Sequence, residues 1–462
     1  MGRPLPRLQA PSRVAITRGM DENLLDDMVA AALNAGADAA EAVLAERQAL
    51  SVTVRTGKLE EVEREEARDL GLRVFIGQQQ ASVSGSDLSA DARARLIERA
   101  VAMARLAPAD PYAGFAPAER LAKGPHPDLD LFDPTEPSAA ALEERAKAAE
   151  DAARAVPGVT NSDGGTGGWA ASRWRFVTSG GFSGTHAASS FSISASAIAG
   201  EGAGMERGGD GRNQRWQADL PSPESIGAEA GRRAVQKLNP RKLDSTFAPV
   251  IVENRLAASV LSPLVGAISG LAVARGVSFL KDKLGEQIFP KGLTIVDDPT
   301  LPRRLGSTPF DDEGVAGMRR EIVADGVLTT WLLNSSAARQ LGLETTGHAT
   351  RGLAGPPGVS TTNLTLEPGE RDLDGLMKDA GRGLLVTSMF GPSLNPNNGD
   401  WSVGVSGFWF EGGEIAYPVS EITIAGNLPT IYGKLVVGSD LEIRGAANSP
   451  SLMTDAVAIA GR

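Results

Sequence analysis

The sequence predicts an α+β protein of two domains with largely antiparallel sheets. Its 462 residues exceed what one ordinary hydrophobic core organises, so two domains are expected. The 54 glycines and an aromatic content of only 5% indicate many turns and strands. Helical and strand patterns alternate irregularly, without βαβ order, and no Gly-x-Gly-x-x-Gly follows a strand. That order favours the α+β class.

The domain boundary is predicted at Asn239-Pro240, a turn dipeptide that follows a helical pattern. An N-terminal mixed α/β domain with a curved sheet is expected over residues 20–238. A largely antiparallel, β-rich domain with a few helices is expected over residues 239–462. Residues 1–19 carry four arginines and no apolar stretch of signal-peptide length. We expect a disordered tail there, with Met20 as an alternative start.

In the N-terminal half, apolar periodicity separates helices from strands. Helices are predicted over 20–35, 89–107, 138–155 and 222–238. Strands are predicted over 41–46, 50–55, 59–64, 70–76, 82–86 and 191–198. Three of the helices begin at a serine (Ser89, Ser138 and Ser222), the residue type that caps helix N-termini. The apolar stripes are expected to include Leu33 and Met103.

In the C-terminal half, a strand is predicted over 249–252, a helical region over 254–285 and a helix over 334–341. Gly412-Gly413 indicates a two-residue hairpin turn. Strand alternation before that turn places Phe408 and Phe410 on one face and Trp409 on the other.

Composition excludes several classes of protein. The formal net charge is -11 and the pI about 5.1, which argues against nonspecific electrostatic binding to nucleic acid phosphates. The absence of cysteine excludes disulfides and thiolate chemistry, and it fits a reducing cytoplasm. The apolar segment 257–274 is interrupted by serine, proline and glycine, so a buried helix is expected rather than a membrane span.

The usual catalytic motifs are missing from the sequence. It has neither a phosphate-binding Gly-x4-Gly-Lys-Ser/Thr nor a Gly-x-Ser-x-Gly elbow nor His-Glu-x-x-His. Of its three histidines, His126, His186 and His348, the last is the best candidate for function, although a structural histidine held by hydrogen bonds is the favoured interpretation of it. Asp311-Asp312-Glu313 is an acidic cluster better explained as a capped turn than as a cation site.

Several long motifs occur in one order along the chain. They comprise Val54-Arg55-Thr56-Gly57-Lys58, Ser307-Thr308-Pro309-Phe310-Asp311-Asp312-Glu313-Gly314, Thr346-Gly347-His348-Ala349, the turn Asn395-Pro396-Asn397-Asn398-Gly399-Asp400, and Tyr417-Pro418-Val419-Ser420-Glu421-Ile422-Thr423-Ile424-Ala425-Gly426-Asn427-Leu428. Through them the chain resembles the TldD/PmbA family, also labelled "modulator of DNA gyrase", and within it the PmbA/TldE branch that lacks the zinc motif. The resemblance covers nearly everything after residue 20.

The resemblance has consequences for the metal. In the family's catalytic branch, a helix carries His-Glu-x-x-x-His and a later cysteine completes the zinc site. The corresponding positions here are Ser262, Pro263 and Ala267, and the chain has no cysteine. The resemblance therefore implies no catalytic residue, no metal ligand and no cofactor in this chain, with zinc in a partner subunit.

The implied function is that of the metal-less subunit of a two-subunit zinc peptidase that cleaves small unfolded or modified peptides, such as peptide-antibiotic precursors. The implied partner is a TldD-type subunit, with a homodimer possible without it, and neither nucleic acid nor membrane is expected. Candidate chamber or interface residues are His348, Asp311, Asp312, Glu313, Asn395 and Asn427. The alternatives are an independent hydrolase near Asp311–Glu313 and His348, and a protein-binding gyrase modulator.

Overall fold

The structure, a computed structural model, describes residues 23–462. The predicted tail over 1–19 and the candidate start Met20 lie outside the described residues. The helices in chain order are α1 Leu24–Asn34, α2 Ala90–Leu106, α3 Ala139–Arg154, α4 Pro223–Gln236, α5 Asn254–Ala267, α6 Gly270–Ala274, α7 Ser335–Leu341, α8 Leu373–Ala380 and α9 Leu428–Tyr432.

The strands are spread along both halves of the chain. They are β1 Ala39–Arg55, β2 Lys58–Ile76, β3 Gln79–Gly85, β4 Val159–Thr178, β5 Ser183–Ala199, β6 Glu206–Gln214, β7 Thr246–Val252, β8 Ile295–Asp297, β9 Arg320–Ala324, β10 Val327–Leu328, β11 Ala349–Thr350, β12 Gly358–Val359, β13 Leu364–Leu366, β14 Arg382–Leu394, β15 Asp400–Glu411, β16 Glu414–Asn427, β17 Val436–Val437, β18 Ala447–Asn448 and β19 Leu452–Ala460.

The first half forms one antiparallel sheet in the order β3-β2-β1-β4-β5-β6. Helices α1 and α2 cover one end of it and α3 and α4 the other, each end with its own apolar core. Close approach depends on glycine: a Cβ at Gly165 in β4 would lie 2.1 Å from the Ala146 carbonyl oxygen of α3, and one at Gly227 in α4 would lie 1.9 Å from that of Ala149. The helices consequently lie directly on the strands and on each other.

The three serine caps are confirmed. Ser89 Oγ accepts from the Ala92 N–H at 3.3 Å, and Ser138 and Ser222 do the same three residues on at 3.2 Å. The apolar stripes are narrower than predicted, because Leu33 is 38% and Met103 46% exposed.

The second half is built on two main sheets and the two-stranded sheet β11–β12. A small sheet has the order β10-β9-β8-β13-β18, and a larger one has the order β16-β15-β14-β7-β19-β17, with a β16–β19 pairing that closes it on itself. Most pairs are antiparallel, the exceptions being β7–β14 and β13–β18. The predicted α+β class with largely antiparallel sheets is confirmed.

The β15–β16 hairpin turns at Gly412 and Gly413, whose φ angles are 61° and 80° and meet the two-positive-φ requirement of such a turn. Phe408 and Phe410 pack with α8 on one side of β15, while Trp409 packs into the main core on the other. The predicted alternation is confirmed.

The helical region predicted over 254–285 is wrong in its second part. Helix α5 ends at Ala267 because the chain then pairs with a distant segment: the Gly270 N–H donates to the Leu332 carbonyl oxygen at 2.8 Å, and the Leu332 N–H to Ile268 at 3.0 Å. After the short α6 the backbone forms turns as far as β8. Within residues 23–462 no helix is long and apolar enough to cross a membrane.

Candidate functional site

Helix α5 presents the three positions at which metal ligands are implied for the catalytic branch. Ser262 is exposed, Pro263 is half-buried and Ala267 is buried, and all three line one cleft of about 670 Å³. Pro263 lies inside the helix rather than in its first turn. Since proline has no N–H, the Ser259 carbonyl loses its helical partner, and Ser259 sits at the exposed side of the helix.

The opposite wall of this α5 cleft comes from the closed sheet and the segment after α6. It is mainly apolar, with Arg275 as the charged residue among those that line the cleft, and its large side chains are Phe279, Met389, Leu394, Trp401 and Val403. Such a surface accepts apolar side chains and offers few fixed polar contacts.

The α5 cleft does not fit a zinc ion. A catalytic zinc needs three nitrogen, sulfur or carboxylate ligands, and Ser262, Pro263 and Ala267 supply none. Residues 254–285 contain no histidine or glutamate. Across the part of the chain that the structure describes, no group of three or more His, Cys, Asp or Glu side chains is placed to hold a metal.

Asp311 lies in a buried turn, and both of its carboxylate oxygens accept hydrogen bonds from backbone amides. Its Oδ1 accepts from the Glu313 and Val315 N–H groups, each at 2.9 Å, and its Oδ2 accepts from Ala349 at 3.0 Å. Burial, and then the charge of Glu313, raises the pKa of Asp311 well above its usual range, although the three amides act in the opposite direction. The carboxylate closes the turn and joins it to β11.

The carboxylates of the two neighbouring acidic residues, Asp312 and Glu313, also accept hydrogen bonds within the fold. Asp312 Oδ2 accepts from the Arg351 N–H at 2.8 Å. Glu313 Oε2 accepts from both the N–H and the hydroxyl of Ser335, at 2.8 and 2.6 Å, at the start of α7, where a negative charge favours the helix. Burial raises the pKa of both carboxyls. These contacts give both residues a structural task.

His348 is 4% exposed and held at both ring nitrogens. Its Nδ1 lies 2.8 Å from Thr346 Oγ1 and its Nε2 3.2 Å from Asp297 Oδ2. Asp297 is itself fully buried and also accepts from the N–H and hydroxyl of Thr362, at 2.8 and 2.6 Å. The imidazole therefore ties β8 to the chain before β11 and has no free ring nitrogen for a substrate.

His348 and the acidic cluster belong to one buried region, whereas Asn395 lies beside the α5 cleft. Its neighbours Leu394 and Pro396 line that cleft. Asn395 Oδ1 accepts from the Asn397 N–H at 3.1 Å, and Asn427 Nδ2 donates to the Asn398 carbonyl at 2.9 Å. The two asparagines thus fix the loop at the rim of the cleft, and the structure does not bring them together with His348.

Sequence reasoning missed a buried charge cluster between the two halves of the chain. Glu41 Oε1 lies 3.2 Å from Arg73 Nε and also contacts Arg351 Nη1, with all three side chains at most 3% exposed. The Arg73 and Arg351 guanidinium groups lie over the rings of Phe75 and Phe176 at 4.6 and 5.5 Å. Glu41 and Arg351 are 310 residues apart, so no local pattern connects them.

Comparison with family descriptions gives matches over most of the chain. Residues 40–104 match PmbA/TldA metallopeptidase domain 1, residues 132–238 the central domain and residues 245–461 the C-terminal domain. The metalloprotease PmbA of Escherichia coli O157:H7 is 40% identical over 95% of this chain and 96% of its own length. The PmbA homologue of Haemophilus influenzae is 36% identical over 98% and 99%.

Solved structures extend the likeness to the fold. A Bacteroides thetaiotaomicron protein labelled as a candidate modulator of DNA gyrase superposes with a TM-score of 0.88 at 28% identity, covering 96% of this chain and 99% of that one. TldE of Thermococcus kodakarensis superposes with a TM-score of 0.83 at 21% identity, over 95% and 100%. At that identity the TldE match concerns the fold alone.

Proposed function

Because the chain belongs to the PmbA/TldD metallopeptidase family, we propose that it is the subunit without zinc ligands in a two-subunit peptidase. The partner is a TldD-type chain that carries the zinc and its general base. The substrates are small unfolded or modified peptides, including precursors of peptide antibiotics, and the complex works in the cytoplasm.

One observation carries this proposal: the α5 cleft is apolar at the positions where the family resemblance implies the metal ligands of the catalytic branch. Ser262, Pro263 and Ala267 line it beside Met389 and Trp401. A surface of this kind binds apolar side chains of an extended peptide but cannot activate water. The chain then contributes a wall of the chamber and restricts access, and the chemistry resides in the partner.

The buried region around Asp311 and His348 also supports a non-catalytic role for this chain. General acid–base catalysis requires a group within hydrogen-bond reach of a substrate proton. Asp311, Glu313 and His348 are at most 7% exposed, and the fold occupies both carboxylate oxygens of Asp311, Oε2 of Glu313 and both ring nitrogens of His348. An independent hydrolase built on these residues would have to open the turn first.

The test is reconstitution with a TldD-type partner. We expect the two chains to co-purify through an interface of more than ~2,000 Å², the range of permanent complexes. We expect zinc at one per complex by elemental analysis, peptide cleavage by the complex only, and complete loss of cleavage when the glutamate of the partner's His-Glu-x-x-x-His is replaced by glutamine. Cleavage by this chain alone, or one tightly held zinc per isolated chain, would contradict the proposal.

A further inference from the structure

A second cleft, of about 530 Å³, lies between the two halves of the chain. One wall is formed by α4 and the start of β6, and the other by α5, α8 and the strands β14–β16. None of its lining residues belongs to the α5 cleft described above. We call it the interdomain cleft.

Positive charge dominates the polar part of the interdomain cleft. Its lining includes Arg207, Arg232, Arg233, Lys237 and Arg255, with Glu253 as the carboxylate among the lining residues that the structure describes. The arginines have carboxylate partners around the rim. Arg207 contacts Asp163, Arg232 and Arg233 share Glu229, and Arg255 contacts Glu253.

Lys237 differs from the arginines. Its Nζ donates to the Arg207 carbonyl oxygen and to Ser388 Oγ, both at 3.1 Å, and within residues 23–462 no carboxylate lies at ion-pair distance from it. Burial, and then the positive charge of Arg255, lowers the pKa of Lys237. The ammonium group is thus partly desolvated without a carboxylate in direct contact, although the charges of Glu206 and Glu253 act on it from farther away. An incoming anion would provide that contact.

Among residues 23–462, two buried hydrogen-bonding groups on the same walls have no hydrogen-bond partner. They are Arg255 Nε and Thr387 Oγ1, the latter on a residue that is 8% exposed. Buried polar groups in proteins are nearly always hydrogen-bonded, so each of these two unpartnered groups requires an explanation. With Lys237 they make three potential donors on residues that line one cleft.

The other end of the interdomain cleft is apolar. Leu373, Leu385, Phe408 and Ile415 line it. Leu385 and Phe408 belong to the apolar cluster beneath α8, while Ile415 is 53% exposed. A ligand that fills both ends carries a negative group next to an apolar one.

We propose that the interdomain cleft binds a carboxylate carried beside an apolar side chain, as in the C-terminal residue of a peptide. Lys237, Arg255 Nε and the Thr387 hydroxyl hold the carboxylate, and the side chain packs on Leu385 and Phe408. That a peptide is the source of the carboxylate rests on the proposed function. A free fatty acid has the same chemistry.

The experiment measures binding to the isolated full-length chain by calorimetry, without any partner, so that its outcome is independent of complex assembly. The probes are acetyl-Ala-Ala-Leu as the free acid, the same peptide as its C-terminal amide, octanoate and inorganic phosphate. We expect the free acid to bind at least about tenfold more tightly than the amide, since a hydrogen-bonded charge is lost in the latter. Lys237→Gln should weaken the free acid by about tenfold or more and leave the amide unchanged.

Thr387→Val is the second variant, because it keeps the side-chain shape and the carbonyl that Arg255 contacts, and we expect it to weaken the free acid several-fold. Lys147→Gln, the same change at an exposed position of α3, should bind like the unaltered chain. Equal binding of acid and amide, unaltered binding by Lys237→Gln and Thr387→Val, or phosphate binding as tight as the peptide acid would overturn the proposal. Binding of octanoate without binding of the peptide acid would overturn the peptide as the source.

Discussion

Two regions of the chain hold the positions from which a catalytic site would be built: the α5 cleft and the buried turn around Asp311. In the α5 cleft Ser262 is exposed and a substrate has access, but the described residues that line the cleft include no carboxylate, imidazole or thiol. In the buried turn Asp311, Glu313 and His348 carry that chemistry, but each is committed to amides or side chains of the fold.

The difference shows that residue type alone is weak support for a site. Both Asp311 and Glu313 have raised pKa values, which is a feature of catalytic acids. Structural networks produce the same shift through burial. What separates the two cases is whether a lone pair or proton remains available to a ligand, and that depends on the hydrogen-bond partners.

The comparison requires that the strand lining the α5 cleft is held by a packed hydrophobic core, and the largest expected effect tests this requirement. Phe410 is fully buried on β15, the strand whose Trp401 and Val403 wall the cleft. Phe410→Ala should lower the free energy of unfolding by about 3–5 kcal/mol, because it leaves a cavity, as measured by urea denaturation. Phe390→Ala, at a position 55% exposed, is the control and should cost under about 1 kcal/mol.

Removing Asp311 tests whether the buried turn is structural. Asp311→Ala leaves the N–H groups of Glu313, Val315 and Ala349 without their acceptor. Because an unsatisfied buried group costs about 1–3 kcal/mol, we expect the free energy of unfolding in urea denaturation to fall by ~3 kcal/mol. Asp282→Ala, at an exposed position, should change stability by less than about 0.5 kcal/mol. A stable Asp311→Ala protein would mean that the carboxylate is free for another role.

The pH dependence of the free energy of unfolding tests burial next to the turn through His186. The centroid of its ring lies 5.6 Å from that of Phe310, at the edge of the buried turn. Burial, and then Arg215, lowers the pKa of His186 to about 4. The unfolded chain takes up this proton near pH 6.5 and the folded chain only near pH 4, so stability falls as the pH falls through that window. The loss is at most ~3 kcal/mol.

His186→Gln removes that contribution and should flatten the dependence of unfolding free energy on pH between about 6.5 and 4. Denaturation of both proteins at several values of pH checks it. The two should have similar slopes above pH 7, where the imidazole is neutral in both states. An unchanged slope in the variant below pH 6.5 would show that His186 titrates equally in the folded and unfolded chains.

Features fixed by neighbouring residues could be predicted from the sequence. The serine caps, the Gly412-Gly413 turn and the alternation of Phe408 and Trp409 depend on local backbone geometry and strand period. Features fixed by distant contacts could not. Helix α5 stops at Ala267 because the following chain pairs with Leu332.

The same limit applies to the candidate site. Ser262, Pro263 and Ala267 could be singled out only because a family resemblance implies ligands at these positions, and the apolar character of the cleft depends on Met389 and Trp401 from distant strands. The partners of His348 are no more local: Asp297 is 51 residues away. Carboxylates and imidazoles in a sequence identify positions able to do chemistry. Only the folded structure determines whether these groups are already engaged in structural hydrogen bonds.

The smallest expected effect is also the sharpest test of the comparison. If His348 or Asp312 did acid–base work, removing it would slow the chemical step by about 10²–10⁴-fold. Because His348 is held by Asp297 and Thr346, and Asp312 by the Arg351 amide, we expect His348→Ala and Asp312→Ala to change peptide turnover by less than about tenfold. Turnover is measured in the complex with a TldD-type partner, after assembly of each variant is verified by size-exclusion chromatography. A hundredfold loss in an intact complex would place catalytic groups in the buried turn and reverse the assignment of the two regions.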